Sequence, residues 1–95
     1  MKFKLDRRVF ADLLDIVVWY EEQSVGTGSR FIESVFTAVG RAAQFPNSGA
    51  PHLDGTRRIV LDRFPYSLVY RVGRTEIRVV VIESARREPG YWLDR

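Results

Sequence analysis

Arginine carries most of the chemistry this chain can offer. Arg57, Arg58, Arg63, Arg71, Arg78, Arg86 and Arg87 all fall in its second half, and thirteen of the fifteen basic residues are arginine. A guanidinium is planar, permanently charged and presents a fork of donors. It pairs bidentately with phosphate or carboxylate and stacks on aromatic rings. The stretch IESARREPGYW, Ile82 to Trp92, concentrates these properties in two adjacent arginines, a proline and two aromatic rings. Such a segment can act as an active site, a docking patch or the plug that closes a core. The competing use for the arginines is pairing with the acids of the same region, Asp62, Glu76, Glu83 and Glu88. Phe64, Tyr66, Tyr70, Tyr91 and Trp92 read first as packing, with Tyr and Trp able to keep a polar tip at the edge of a core or interface.

Little else in the sequence suggests catalysis. The single histidine, His52, sits in a proline- and glycine-rich loop and is expected to be solvated; without a cysteine, disulfides and thiolate metal sites are excluded. GTGS, Gly26 to Ser29, lacks a preceding strand and a following lysine, so it reads as a turn between helices and not as a phosphate loop. No cofactor or metal is expected. Asp12, Asp15, Glu21, Glu22 and Glu33 read as solvent faces of helices. The net charge of +3 is unevenly spread: residues 1–56 sum to −1 and residues 57–95 to +4. A basic second half suits RNA, DNA or an acidic protein partner. No apolar run approaches the roughly 18–20 residues of a membrane span. The start, MKFKLDRRVF, has no apolar stretch of a signal peptide. A cytoplasmic protein with no membrane association is expected.

The elements that must hold the arginines follow from periodicity. Ninety-five residues suffice for one domain, 1–95. KFKL can form a short strand, after which Asp6 can cap a helix from Arg7 to about Ser24, with apolar positions at Val9, Leu13, Ile16 and Tyr20. Two glycines then break the pattern. A second helix starts near Thr27 or Ser29, carries Phe31, Val35, Ala38, Ala42 and Phe45 on one stripe, and stops at Pro46. PNSGAPHLDGT reads as a loop. The period then changes to two: RRIVLD, RFPYSLVYRV and TEIRVVVIES are strands, the last two joined by the tight turn VGRT. In the last strand Ile77, Val79 and Val81 should share one face, and Arg78, Val80 and Ile82 the other. The order strand-helix-helix-strand-strand-strand predicts an α+β fold, a helical hairpin packed on a small, mainly antiparallel sheet. Arginines should lie on the open face of that sheet or along its rim.

Over nearly its whole length the chain resembles the RelE/ParE superfamily, the toxic half of bacterial type II toxin–antitoxin pairs. The resemblance rests on ADLLDIVVWYEEQS in the first helix, Arg30 and Phe31 opening the second, FPNSGAP after it, RRIVLDRFPYSLVYRV, and the tail ARREPGYW. It implies the fold derived above and one of two activities. RelE-like members cut mRNA in the ribosome, which requires a proton acceptor and cations around a phosphate. ParE-like members bind DNA gyrase and need neither catalytic acid nor base.

Phe64, Pro65 and Tyr66, with RREPGYW, look ParE-like. Many relatives carry a histidine where this chain has Ser84, a poor base at neutral pH. The lysine-rich strand of the nucleases is missing, and Asp62 stands in a segment where those nucleases tend to carry arginine. The resemblance therefore implies a non-enzymatic gyrase inhibitor. The alternatives are a ribosome-dependent mRNA endonuclease, whose phosphate site would be Arg58, Arg63, Arg87 and Tyr91, and a non-toxic antitoxin-binding co-repressor. Candidates for gripping a target or antitoxin are Arg58, Arg63, Arg71, Arg78, Arg86, Arg87, Tyr91 and Trp92. The implied partner is a cognate antitoxin, through which alone operator DNA would be contacted.

Overall fold

Asp6 sets where the first helix begins. Its side chain accepts a hydrogen bond from the Val9 amide at 2.9 Å, satisfying one of the donors a helix start leaves open. In the computed structural model, which describes residues 1–94, this helix is α1 (Arg7–Gln23), preceded by β1 (Lys2–Leu5) and followed by α2 (Thr27–Gln44). The hairpin between the helices is held by an acid expected to be merely solvated. Glu21 accepts from the Gly26 amide at 2.9 Å and from the Gly28 amide at 3.0 Å. Gly26 caps α2 at φ 91°, and a β-carbon on buried Gly28 would stand 2.8 Å from the Val17 carbonyl oxygen. Both glycines are thus required, one by conformation and one by the close approach of α1.

Four further strands complete the chain: β2 (Ala50–Pro51), β3 (Arg57–Val60), β4 (Tyr66–Val72) and β5 (Glu76–Ser84), with a 3-10 turn at Leu53–Gly55. They form one sheet in the order β1-β5-β4-β3-β2, in which β1 runs parallel to β5 and every other pair is antiparallel. The expected α+β architecture is observed, with one addition. The stretch read as loop contains β2, a two-residue edge strand that includes Pro51. Proline is tolerated there because an edge strand has a side with no ladder to feed. The opposite edge, β1, carries Lys2 and Lys4, charges that discourage pairing with foreign strands. No helix among the described residues is long and apolar enough to cross a membrane.

The main core lies between the helical hairpin and one sheet face. Val9 and Leu13 of α1 and Phe31, Val35, Ala38, Val39 and Ala42 of α2 meet Ile59, Leu68, Tyr70, Ile77, Val79 and Ile82. A smaller cluster of Val69, Val81 and Trp92 covers part of the other face. A bulge allocates β5 between the two. Val81 pairs with Val69 but Val79 pairs with Tyr70, so Val80 is an extra residue. The expected alternation is corrected accordingly. Ile77 and Val79 share the helical face with Ile82, whereas Val81 turns to Trp92.

β5 ends at Ser84, where the run TEIRVVVIES ends, because the chain turns there and the Arg87 amide donates back to the Ser84 carbonyl at 3.4 Å.

Gly40 lies inside α2, is exposed, and would place an added β-carbon with no atom within 4 Å. Gly40→Ala is therefore expected to stabilise the protein by about 0.5–1 kcal/mol, because alanine loses less backbone entropy on folding. A thermal melt should show the midpoint rising by a few degrees, roughly 2–6 °C for a domain of this size.

Candidate functional site

The tail after β5 is built on Ser84. Its amide donates to the Tyr91 hydroxyl at 3.0 Å, and its own hydroxyl accepts from the Arg86 amide at 3.2 Å. These bonds fold Ala85–Gly90 into a compact turn that stands Tyr91 beside the strand end. The Arg87 guanidinium then lies over the Tyr91 ring, 3.7 Å from its centroid. Arg86 and Arg87 are both exposed. Beneath them is a cleft of about 230 Å³ lined by Asp12, Asp15, Tyr66, Ser84, Arg87 and Tyr91 among others. Burial pushes the Tyr66 phenol up, the neighbouring Tyr20 and Tyr91 push it further, and Arg86 only partly opposes them. Burial likewise raises the Tyr20 phenol against the same arginine. Both phenols are thus protonated at neutral pH, as donors and not bases.

On the other sheet face, a buried carboxylate ties three distant segments together. Glu83 is 5% exposed. It accepts from the Trp92 indole N–H at 2.5 Å and from His52 Nε2 at 3.0 Å. Burial alone would push its carboxyl up and is the largest single influence. The donors from Trp92 and His52, with the Gly90 amide, together outweigh it and hold the carboxyl below its ordinary range. This corrects the solvated reading of His52, whose side chain is only 10% exposed. It also removes Glu83 from the acids expected to pair with arginine. Trp92, a contact candidate from the sequence, is 3% exposed and anchors the tail from within.

The remaining arginines are dispersed. Arg58 is exposed on β3, opposite Val69 of β4. Arg63 sits at φ 69° in the bend between β3 and β4, with Asp62 3.9 Å away and both side chains almost fully exposed. It lines a groove of about 510 Å³ between α2 and that bend, which also includes Arg30, Arg41, Val60, Leu61 and Phe64. Arg71 is half-buried and bound to Asp54, whose carboxylate accepts at 2.6 Å and whose carbonyl accepts as well. Arg78 is exposed and stands opposite Arg71 across the β4–β5 ladder. Arg57, read as a surface cation, donates to the Gly49 carbonyl at 2.7 Å and the Asn47 carbonyl at 3.3 Å.

Of the residues singled out in the sequence, Arg86, Arg87 and Tyr91 come together. Arg58, Arg63, Arg71 and Arg78 do not join them. Among the described residues, no group of three or more His, Cys, Asp or Glu side chains is placed to hold a metal. Two residues that organise the tail, His52 and Glu83, were missed. The only signal in the sequence was a carboxylate set in the apolar run VVVIES.

Residues 3–89 match the family described as the ParE toxin of the type II toxin–antitoxin system parDE. A Sinorhizobium fredii (strain NBRC 101917 / NGR234) protein carrying the name "Putative toxin Y4kP" is 28% identical over 82 residues, covering 85% of this chain and 84% of that protein. A solved structure from P. aeruginosa, titled as a chromosomal ParDE TA system, superposes with a TM-score of 0.78 at 27% identity, covering 90% of this chain and 97% of that one. With the hairpin-on-sheet fold and the arginine tail already placed, these matches mean that the chain belongs to the ParE toxin family of type II toxin–antitoxin systems.

Proposed function

We propose that this ParE-family toxin acts in the cytoplasm by binding and inhibiting DNA gyrase, and that a cognate antitoxin neutralises it. One observation carries the choice of a protein target over RNA cleavage. The four side chains that would form a nuclease phosphate site are spread over separate surfaces. Arg58 is on the sheet face and Arg63 in the α2 groove, while Arg87 and Tyr91 stand at the tail cleft. A transition state for phosphodiester cleavage needs its cations and proton acceptor within a few ångströms of one phosphate. By contrast, two exposed arginines on a turn held by Tyr91, Ser84 and Trp92 suit docking, since less side-chain freedom is lost on binding.

The likeness to a P. aeruginosa ParDE toxin–antitoxin system supports an antitoxin partner. The α2 groove offers such a partner apolar lining from Ala38, Ile59, Leu61 and Phe64, and among its charged residues Arg30, Arg41 and Arg63 outnumber Glu33 and Asp62. That chemistry matches an acidic, apolar-studded segment that orders on binding. Operator DNA would be reached through the antitoxin alone.

The experiment is to induce the chain in cells and to assay the purified protein against gyrase. Filamentation with a DNA-damage response and inhibited supercoiling are expected. The double substitution Arg86→Ala/Arg87→Ala should weaken inhibition by roughly tenfold or more, as removal of central arginine contacts does at interfaces. Rapid translation arrest with cleaved transcripts, and supercoiling intact, would overturn the reading.

A further inference from the structure

The open face of the sheet carries a row of cations drawn from four strands. Lys4 of β1 stands directly opposite Arg78 of β5, and Arg78 stands directly opposite Arg71 of β4. Arg58 of β3 continues the row. It pairs with Val69, two positions before Arg71 on β4, and so lies on the same face. The strand neighbours of these four, Phe3, Ile77, Tyr70 and Ile59, turn to the helical side, which fixes the cations on the other.

Like charges directly opposed across strands are destabilising. Protection of a sheet edge accounts for Lys4 on β1, but Arg78 stands on an inner strand, where that need is absent. The acids nearby are engaged elsewhere. Asp54 binds Arg71 at 2.6 Å, Asp6 accepts from the Val9 amide at 2.9 Å, and Glu76 lies opposite Lys2. Among the described residues, Lys4, Arg58 and Arg78 form no ion pair, and all three are exposed.

We infer that this row binds the phosphate backbone of duplex DNA, without regard to sequence. Four strands spaced by about 4.8 Å, with Arg58 displaced two residues along β3, put Lys4 and Arg58 roughly 15 Å apart. Long side chains at the two ends then reach phosphates on either side of a B-form major groove, about 12 Å wide, with Arg78 over the groove between them. The major groove of an RNA duplex is deep and narrow and does not match. A single strand is held by exposed rings on which its bases stack. The strands place no aromatic side chain on this face, since Phe3, Tyr66 and Tyr70 turn to the helices, and Trp92, which covers part of it, is 3% exposed. An acidic, apolar-studded protein segment finds four charged side chains here with no apolar seat between them. Arg78 lies near the start of β5 and the arginine tail leaves its end, so DNA on the row leaves the tail free for a protein target. Recognition of operator DNA stays with the antitoxin, and binding of the duplex does not depend on what the tail contacts.

Fluorescence anisotropy of a short labelled DNA duplex, titrated with the free full chain over a salt series, tests it. A dissociation constant on the order of 10–100 µM at physiological salt is expected, the same for two unrelated sequences. The logarithm of affinity should fall with the logarithm of salt at a slope of about −3, about one for each of the three unpaired cations. Arg78→Ala should reduce that slope by about one, and Arg78→Glu should weaken binding roughly tenfold at low salt. Both should leave circular dichroism unchanged, because Arg78 is exposed. Arg41→Glu, the same change of charge on α2 in the other layer, should have a much smaller effect. No duplex binding up to several hundred micromolar at low salt would overturn the inference. Equal losses in Arg41→Glu and Arg78→Glu would do so too, leaving net charge alone as the cause. Duplex RNA or single-stranded DNA bound as tightly as the DNA duplex would also overturn it. So would a chain indifferent to DNA whose Arg78→Glu variant loses antitoxin binding, which would assign the row to an acidic protein segment.

Discussion

Phe31→Ala should destabilise the protein by about 3–5 kcal/mol, a large part of the 5–15 kcal/mol that holds a typical domain together. Phe31 is fully buried. Its ring stacks on Tyr20 with centroids 5.4 Å apart, and meets Phe64 and Tyr66 edge-on at 5.1 and 5.4 Å. Tyr20 in turn contacts Phe64 at 5.1 Å. Removing the central ring therefore removes the shared partner of three others, losing both transferred apolar area and oriented aromatic contacts. The surrounding rings come from α1, from the bend after β3 and from β4, so no single element can move in to fill the space. Denaturant unfolding should show a much lower midpoint. Phe31→Leu, which keeps most of the volume, should cost about 1.5 kcal/mol or less. If both variants lost the same small amount, the ring cluster would not be the keystone described.

Glu83 gives the second large effect, together with a pH dependence. Glu83→Ala leaves the Trp92 indole and His52 without their buried acceptor and should cost about 2–4 kcal/mol. Glu83→Gln retains an acceptor without the charge and should cost less, about 1–2 kcal/mol. The carboxyl is held below its ordinary range in the folded state. Its contribution is therefore fully present above the unfolded carboxyl's range and is lost as pH falls through the folded one. Wild-type stability should thus decline on acidification below about pH 5, and Glu83→Gln should flatten that decline. The emission of buried Trp92 should report the loosening; Trp19 is half-exposed and should change little.

The helices were legible because each sequence signal for them had one physical source. Asp6, the stripe through Phe31, Val35, Ala38 and Ala42, and Pro46 each constrain a local conformation. The bulge at Val80 was not legible. Val79, Val80, Val81 and Ile82 are all apolar and branched, so no polar residue marks where the alternation slips. The proximity of Arg86 and Arg87 to Tyr91 could be anticipated, since a turn brings near neighbours together. The His52–Glu83 bond could not, because it spans 31 residues and joins a loop to a strand. The dispersal of Arg58 and Arg63 from the tail likewise depends on sheet order, which no periodicity encodes.

The parallel pairing of β1 with β5 has a consequence in time. Lys2 lies opposite Glu76, so the sheet's closing pair joins residues some seventy positions apart. Contacts of that sequence separation must overcome the largest loop-closure entropy and set the slow end of folding. A ribosome has made most of this chain before the partner of β1 exists. During synthesis the helical hairpin precedes the sheet it packs on, and the first strand waits for the last. A prematurely ended chain loses its closing strand pair and its arginine tail together.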